Sequence, residues 1–180
     1  MKQEALVLAT GTSLQLLGEI NMSNPEAVDA KDRAIAALVY LLPLVYVLPF
    51  GLLLLKQFPF LSIIYAPLAP LITIYYGLPF AGLIIFFVLW FAIVRSERFN
   101  YFVRFNTMQA ILLDIFLILC SLLMSILEMG FGRYSLLTET LNNTIFLGTL
   151  AACFYGIVQS VRGLYAEIPA ISDAASSQIR

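Results

Sequence analysis

The sequence predicts an all-α integral membrane protein: a bundle of four transmembrane helices plus one kinked, proline-rich interfacial or re-entrant segment. Three observations carry this. Of 180 residues, 61% are hydrophobic and only 12% charged, whereas soluble domains hold about 45–50% and about 25%. The apolar residues gather into five runs with short polar or Pro/Gly connections. The lysines and arginines segregate to one side once one of the first two runs is kept from crossing.

Residues 1–30 read as a flexible or surface N-terminal extension. Residues 1–24 are weakly apolar, interrupted by Gly11, Gln15, Gly18 and Glu19. They lack the positive start, continuous apolar centre and small-residue cleavage site of a secretory signal, and the Arg/Ser richness of a transit peptide. Met22, followed by Ser-Asn-Pro, reads as a second start. Residues 1–21 are then either an extension at the gene start or a short surface helix that touches a partner.

The helical transmembrane domain covers residues 31–166. Its first apolar run, Ala34 to Leu55, opens with Lys31, Asp32 and Arg33 and is interrupted by Pro43, Pro49 and Gly51. Each interior proline removes a helical hydrogen bond and clashes with the preceding turn, so kinks are expected. The second run, Phe60 to Tyr76, contains Pro67 and Pro70 and ends at Gly77. Pro79 suits the first turn of the next helix. The third run, Phe80 to Val94, is uninterrupted and leads into the linker Arg95-Ser96-Glu97-Arg98. The fourth is long, Tyr101 to Leu127. Glu128 to Glu139 read as a polar loop, with Gly130-Phe131-Gly132 as a turn. The fifth runs from Leu141 to Tyr165 and is closed by Pro169. Residues 167–180 read as a flexible polar tail.

Lys and Arg concentrate on the cytoplasmic side of membrane proteins. With five crossings the ten basic residues divide 4 against 6, which decides nothing. If the second run does not cross, they divide 8 against 2; if the first does not, 9 against 1. Four crossings, with both termini cytoplasmic, follow. The stretch from Pro43 to Pro70 then holds the piece that fails to span. Non-helical backbone at that depth must be covered by protein or line a wet cavity.

The stretch Phe102 to Asp114 reads F-V-R-F-N-T-M-Q-A-I-L-L-D. Ten helical residues rise about 15 Å, half of a hydrocarbon core of about 30 Å. With Arg104 at the interface, Asp114 lies near the midplane. An acid there costs about 2.5–3.5 kcal/mol on insertion scales, so it must face protein, water or a partner. At 100° per residue from Asn106, Gln109 falls at about −60°, Asp114 at about +80°, Cys120 at about −40°, Ser121 at about +60° and Ser125 at about +100°. These polar groups share one half of the helix, with Phe116, Leu117 and Leu119 expected mostly outside it. Arg104, Asn106, Gln109 and Asp114 are thus a candidate polar path or partner face. Ordinary interhelical hydrogen bonding, at about 0.6 kcal/mol per contact, is the competing reading.

On the fifth run Thr144, Gly148, Ala152, Gly156 and Ser160 recur every four residues. Such small residues let helix backbones approach closely in lipid, so this is a candidate helix-packing face. The partner helix belongs either to this chain or to another.

Other chemistry is disfavoured. There is no histidine, so neither a zinc-protease motif nor a histidine-dependent triad exists. Asp114 is the one acid deep in a run, whereas intramembrane aspartyl proteolysis needs two. No Gly-rich phosphate loop precedes a lysine. Cys120 and Cys153 both lie in apolar runs, which argues against a disulfide framework or a Cys/His metal or haem site. Net charge is −1 with no basic block suited to nucleic acid. The expectation is a non-enzymatic chain with no cofactor, no metal and no nucleic-acid partner. Its tyrosines read mostly as an interfacial aromatic belt.

L-L-P-L-V-Y-V-L-P-F-G (Leu41 to Gly51), Q-F-P (Gln57 to Pro59) and above all V-R-F-N-T-M-Q-A-I-L-L-D-I (Val103 to Ile115) resemble one family. It is the twenty-kilodalton subunit family of the translocon at the inner envelope of chloroplasts, with its cyanobacterial relatives. The resemblance runs from Asp32 to Tyr165. It implies a four-span membrane protein with both ends stromal or cytoplasmic, working at a protein-import pore with other membrane subunits. The implied location is a cyanobacterial plasma or thylakoid membrane, or the plastid inner envelope. The lack of a transit-like start suits a cyanobacterial or plastid-encoded member. The expected partners are the lipid bilayer, other translocon subunits and a transiting polypeptide. The alternative is a non-enzymatic structural or assembly subunit of a larger, photosynthetic membrane complex. A small-solute transporter is a third reading, disfavoured by the lack of inverted repeats and of a second buried charge.

Overall fold

The computed structural model describes residues 28–169 and 171–179, and every regular element among them is helical. The reading of residues 1–27 lies outside the described residues. Helix α1 (Ala30–Leu38) is followed by a turn at Val39–Tyr40 and by α2 (Leu41–Tyr46). Pro43 has no N–H to offer the Val39 carbonyl, and the helix breaks there. Pro49 has the same effect one turn on. A 3-10 segment (Leu48–Gly51) leads into α3 (Leu52–Gln57), and the two arms Ala30–Tyr46 and Leu48–Gln57 meet at a bend of 53°. The bend lies inside the proline-rich stretch, where the sequence places it. Gly51 has a further role: a Cβ there would collide with the Phe146 ring, so the bend seats directly against a neighbouring helix.

A ten-residue 3-10 segment (Pro59–Leu68) runs into α4 (Ala69–Gly77). Pro79 does not open the next helix. Leu78 to Phe80 form a turn with Phe80 in the left-handed region (φ 60°), and α5 (Ala81–Leu89) begins after it. A wide π turn (Trp90–Val94) continues α5. Asn100 then caps α6 (Tyr101–Phe131) by accepting from the Val103 N–H at 3.1 Å, and its amide donates to Asp32 of α1 at 2.8 Å.

Helix α6 runs past the expected end at Leu127 and absorbs Gly130 and Phe131; Gly132, at φ 84°, stops it. The expected loop shrinks to Gly132–Ser135. Ser135 caps α7 (Leu136–Arg162) through the Thr138 N–H, so this helix starts five residues early. It ends at Gly163 (φ 75°), where Gly163 N–H bonds Ser160 O and Leu164 N–H bonds Gln159 O. That pair is the Schellman pattern, which explains why the helix stops short of Tyr165.

The expected flexible tail is instead a docked helix, α8 (Ile171–Gln178). Ile171, Ala175 and Ile179 recur every four residues and form an apolar stripe. Ala175 and Ile179 pack with Val94, Phe105, Met108 and Ile111. The period of its apolar residues, rather than its polar composition, decides this stretch.

Pro59–Gly77, α6 and α7 are each long and apolar enough to cross a bilayer, and the bent pair Ala30–Tyr46 plus Leu48–Gln57 makes up to four. This is an all-α membrane protein. Ala81–Val94, counted as a crossing in the charge argument, is shorter: nine α and five π residues rise about 20 Å against a core of about 30 Å. The turn at Leu78–Phe80 takes the residues that would have lengthened it.

Candidate functional site

Helix α6 is the central element, packed on α1, α2, α7, α8 and the π turn. Its inner face carries the first half of the site. Asn106 and Gln109 are 0% exposed, as are Tyr40, in the turn between α1 and α2, and Ser160 of α7. The Tyr40 hydroxyl lies 3.0 Å from both Asn106 Oδ1 and Gln109 Oε1, sharing one donor between two acceptors. Ser160 donates to Asn106 Oδ1 at 3.2 Å. Asn106 Nδ2 donates to the Phe102 carbonyl at 2.9 Å, and Gln109 Nε2 to the Ala166 carbonyl at 2.5 Å. Four pieces of chain are pinned by one buried polar brace. In an apolar interior such groups hold position because their alternative is to be unpaired.

Arg104 sits at the adjoining end of α6. Its Nε donates to the Val94 carbonyl at 2.8 Å, an acceptor at the end of the π turn. With Trp90, Arg95, Glu97, Ser177 and Gln178 it lines a cleft of about 600 Å³.

Asp114 lies five residues beyond Gln109, about one and a half turns, and apart from the brace. It faces the bundle, within electrostatic range of Tyr46, Tyr75 and Cys153. Its Oδ1 is buried and has no hydrogen-bond partner among the described residues. Tyr46 and Tyr75 meet edge to face with centroids 6.3 Å apart, and Tyr75 meets Tyr76 at 5.3 Å. The Tyr76 hydroxyl donates to the Val45 carbonyl at 3.1 Å. Tyr65 is buried against Phe146, with ring centroids 6.4 Å apart. Of these tyrosines, Tyr46 and Tyr75 are the pair that lies near the acid.

The structure therefore divides the predicted polar stripe. Arg104 anchors the π turn, Asn106 and Gln109 form the brace, and Asp114 belongs to a tyrosine cluster. Leu117, expected to face outward, is 0% exposed; eleven residues from Asn106 bring it round to about +20°, inside the polar half. Cys120 is free, as is the buried Cys153. Tyr40, a single tyrosine in an apolar run, carries no local signal of its partners.

The small-residue ridge of α7 also divides. A Cβ on Gly156 would come within 2.5 Å of the Tyr40 ring, and Ser160 joins the brace. Ala152 packs beside Val39, Tyr40 and Ala110. Among the described residues, Gly148 has nothing within 4 Å of the place its Cβ would take, and Thr144 is exposed and bonds back to the Thr140 carbonyl. Each step of four residues turns about 40° round a straight helix, so a ridge of this length cannot face one partner throughout.

Near the far end of α6 a second cleft, of about 360 Å³, opens between α3 and the α6–α7 hairpin. Its polar lining is Lys56, Ser121, Ser125, Glu128, Arg133 and Asn142, against apolar walls that include Phe50 and Met124. Arg133 and Glu128 approach to 4.0 Å, a loose surface pair. The Tyr46 hydroxyl lies beside Ser121, which relates the floor of this cleft to the Asp114 cluster.

Fold and site together define a helical membrane protein whose span-forming helices are pinned by a buried polar network and carry an acid with a buried carboxylate oxygen. The family described as "Chloroplast import apparatus Tic20-like" matches residues 20–175. This is further at both ends than the stretch Asp32 to Tyr165 on which the resemblance rests. The Tic20 family protein of Synechocystis is 52% identical over 160 residues, covering 88% of this chain and 99% of that one. Protein TIC 20-v, chloroplastic, of Arabidopsis thaliana is 36% identical over 154 residues, covering 86% and 74%. The Tic20 family protein Ycf60 of Gracilaria tenuistipitata is 37% identical over 154 residues, covering 82% and 75%. The chain belongs to the Tic20 family.

Proposed function

We propose that this chain is a membrane subunit of a protein-translocation machinery, with no enzymatic step of its own. Membership of a family described by its import apparatus carries the reading. Asp114 and the cleft below it offer the polar surface beside which an extended polypeptide passes. Asn106 and Gln109 hold the helices in register. The bent segment Pro43 to Pro70 shapes the side of the path. The membrane is that of a cyanobacterium or the plastid inner envelope, with both termini cytoplasmic or stromal. Partners are lipid, other membrane subunits and the transiting polypeptide. Photo-crosslinkers at positions 114, 121 and 125 test this during translocation of a precursor arrested in transit. Adducts to the precursor support the reading; lipid-only or intramolecular products at all three overturn it.

A second reading, a structural or assembly subunit of a larger membrane complex, is favoured by one observation. The Gly148 face of α7 is open, and exposed Leu147 and Tyr155 neighbour it along the helix. Gly148→Leu then removes a stoichiometric partner on native gels. An unchanged complex rejects this reading.

A further inference from the structure

We infer that the cleft between α3 and the α6–α7 hairpin is a one-sided aqueous vestibule. It admits water and small hydrophilic solutes from the Arg133 end of the bundle down to Ser121, and is closed from the other end by the Tyr40–Asn106–Gln109–Ser160 brace. Nothing in this requires that a polypeptide be translocated.

The two sides of α6 differ at one level. Leu119, Leu122, Leu123 and Ile126 are each more than half exposed and apolar, as a lipid-facing surface must be. Ser121 and Ser125, interleaved with them in sequence, line the cleft. Depth along the helix is therefore matched, and only direction differs. A polar cavity beside lipid-facing turns is stable when it is wet. About 360 Å³ is room for several waters at about 30 Å³ each. Ser121, Ser125, Glu128, Lys56, Arg133 and Asn142 supply more polar groups than the two to four partners each water needs.

The vestibule ends in the chain's interior. Ser121 is the deepest residue of α6 in the cleft, with Tyr46 beside it. Tyr46 in turn lies within range of Asp114, whose Oδ1 has no partner among the described residues. A buried acceptor of this kind calls for a donor, and hydration from the Arg133 side is the direction the cleft offers. Toward the Arg104 end, the four brace side chains are 0% exposed and bonded to one another. The path is blind within one chain in this conformation. A continuous passage requires the brace to open or a second chain to complete it.

Thiol accessibility tests this in sealed proteoliposomes of the full chain. Cys120→Ala removes the partly exposed thiol; Cys153 is 0% exposed and stays, with the otherwise unsubstituted Cys120→Ala chain as the blank. Ser121→Cys, Ser125→Cys and Leu122→Cys are compared using a membrane-impermeant cationic methanethiosulfonate added to one side at a time. Ser121→Cys and Ser125→Cys are expected to react from the Arg133 side about tenfold or more faster than Leu122→Cys, because only a hydrated thiol ionises. From the Arg104 side they stay unreacted. Asn142→Cys reports the same cleft from α7, should a substitution on α6 disturb folding. The inference is overturned if the cleft positions react no faster than Leu122→Cys, which is the result a lipid-filled cleft gives. Equal reaction from both sides also overturns it. No precursor is present, so this result and that of the translocation crosslinking fail independently.

Discussion

The ring of Tyr40 occupies the space that a side chain at Gly156 would need. A Cβ built on Gly156 meets three Tyr40 ring atoms at 2.5, 2.6 and 2.8 Å. That ring cannot retreat freely, since its hydroxyl is held by Asn106 and Gln109. Close approach of α1 to α7 and the polar brace on α6 are thus one arrangement, set by a missing side chain and a hydroxyl.

Gly156→Ala is expected to destabilise the bundle by about 1–3 kcal/mol, the usual cost of overpacking. Gly148→Ala, with nothing near its Cβ, should stay within about 0.5 kcal/mol of the parent. Unfolding midpoints in detergent measure both. Equal effects at the two positions would show that the Tyr40 ring moves aside.

Tyr40→Phe keeps the packing and removes the shared donor, leaving Gln109 Oε1 without it. A loss of about 1–2 kcal/mol is expected, between typical membrane hydrogen bonds and a buried orphan. Ser160→Ala removes the other donor to Asn106 Oδ1. The double variant should show a coupling of about 0.5–3 kcal/mol, since both act on one acceptor. Additive losses in a double-mutant cycle would mean the brace is not a unit.

Asp114→Leu should leave membrane insertion intact or improve it, because the penalty for an acid within the core, about 2.5–3.5 kcal/mol, is removed. Function or assembly should suffer. Glycosylation mapping reads the first and depletion–complementation the second. Full complementation by Asp114→Leu takes this residue out of the site.

Ala175→Asp sets a carboxylate against Phe105, Met108 and Ile111. Helix α8 should undock, and cleavage within 171–179 by a soluble protease should accelerate at least about tenfold, in line with a loss above about 1.4 kcal/mol. Ser176→Asp, on an exposed position, is the control and should leave the rate within about twofold. Matching rates for the two variants would mean that α8 is not held by its apolar stripe.

Composition alone was enough for the membrane class, and Pro43 and Pro49 for the bend, because bilayer insertion and proline's missing N–H are local properties. The periodicity of Asn106, Gln109 and Asp114 likewise placed all three on the inward half of α6. The caps are legible in principle: Asn100, Ser135 and Gly163 each stand at a helix end with the right chemistry, and Gly132 lies in the turn the sequence predicts. The docked tail was also within reach, through Ile171, Ala175 and Ile179.

Other features came from packing. One stripe on α6 separates into a brace at Asn106 and Gln109 and an acid at Asp114 near Tyr46 and Tyr75. That division depends on Tyr40, in the turn between α1 and α2, and Tyr46, at the end of α2, both more than sixty residues away in sequence. One ridge on α7 is buried at Gly156 and open at Gly148, because rotation of about 40° per four residues carries its ends to different neighbours. Helix type and burial side follow from local chemistry and period, which a chain carries along its length. The partner of a buried polar group depends on which distant segment the fold brings within about 3 Å, and no local pattern encodes that distance.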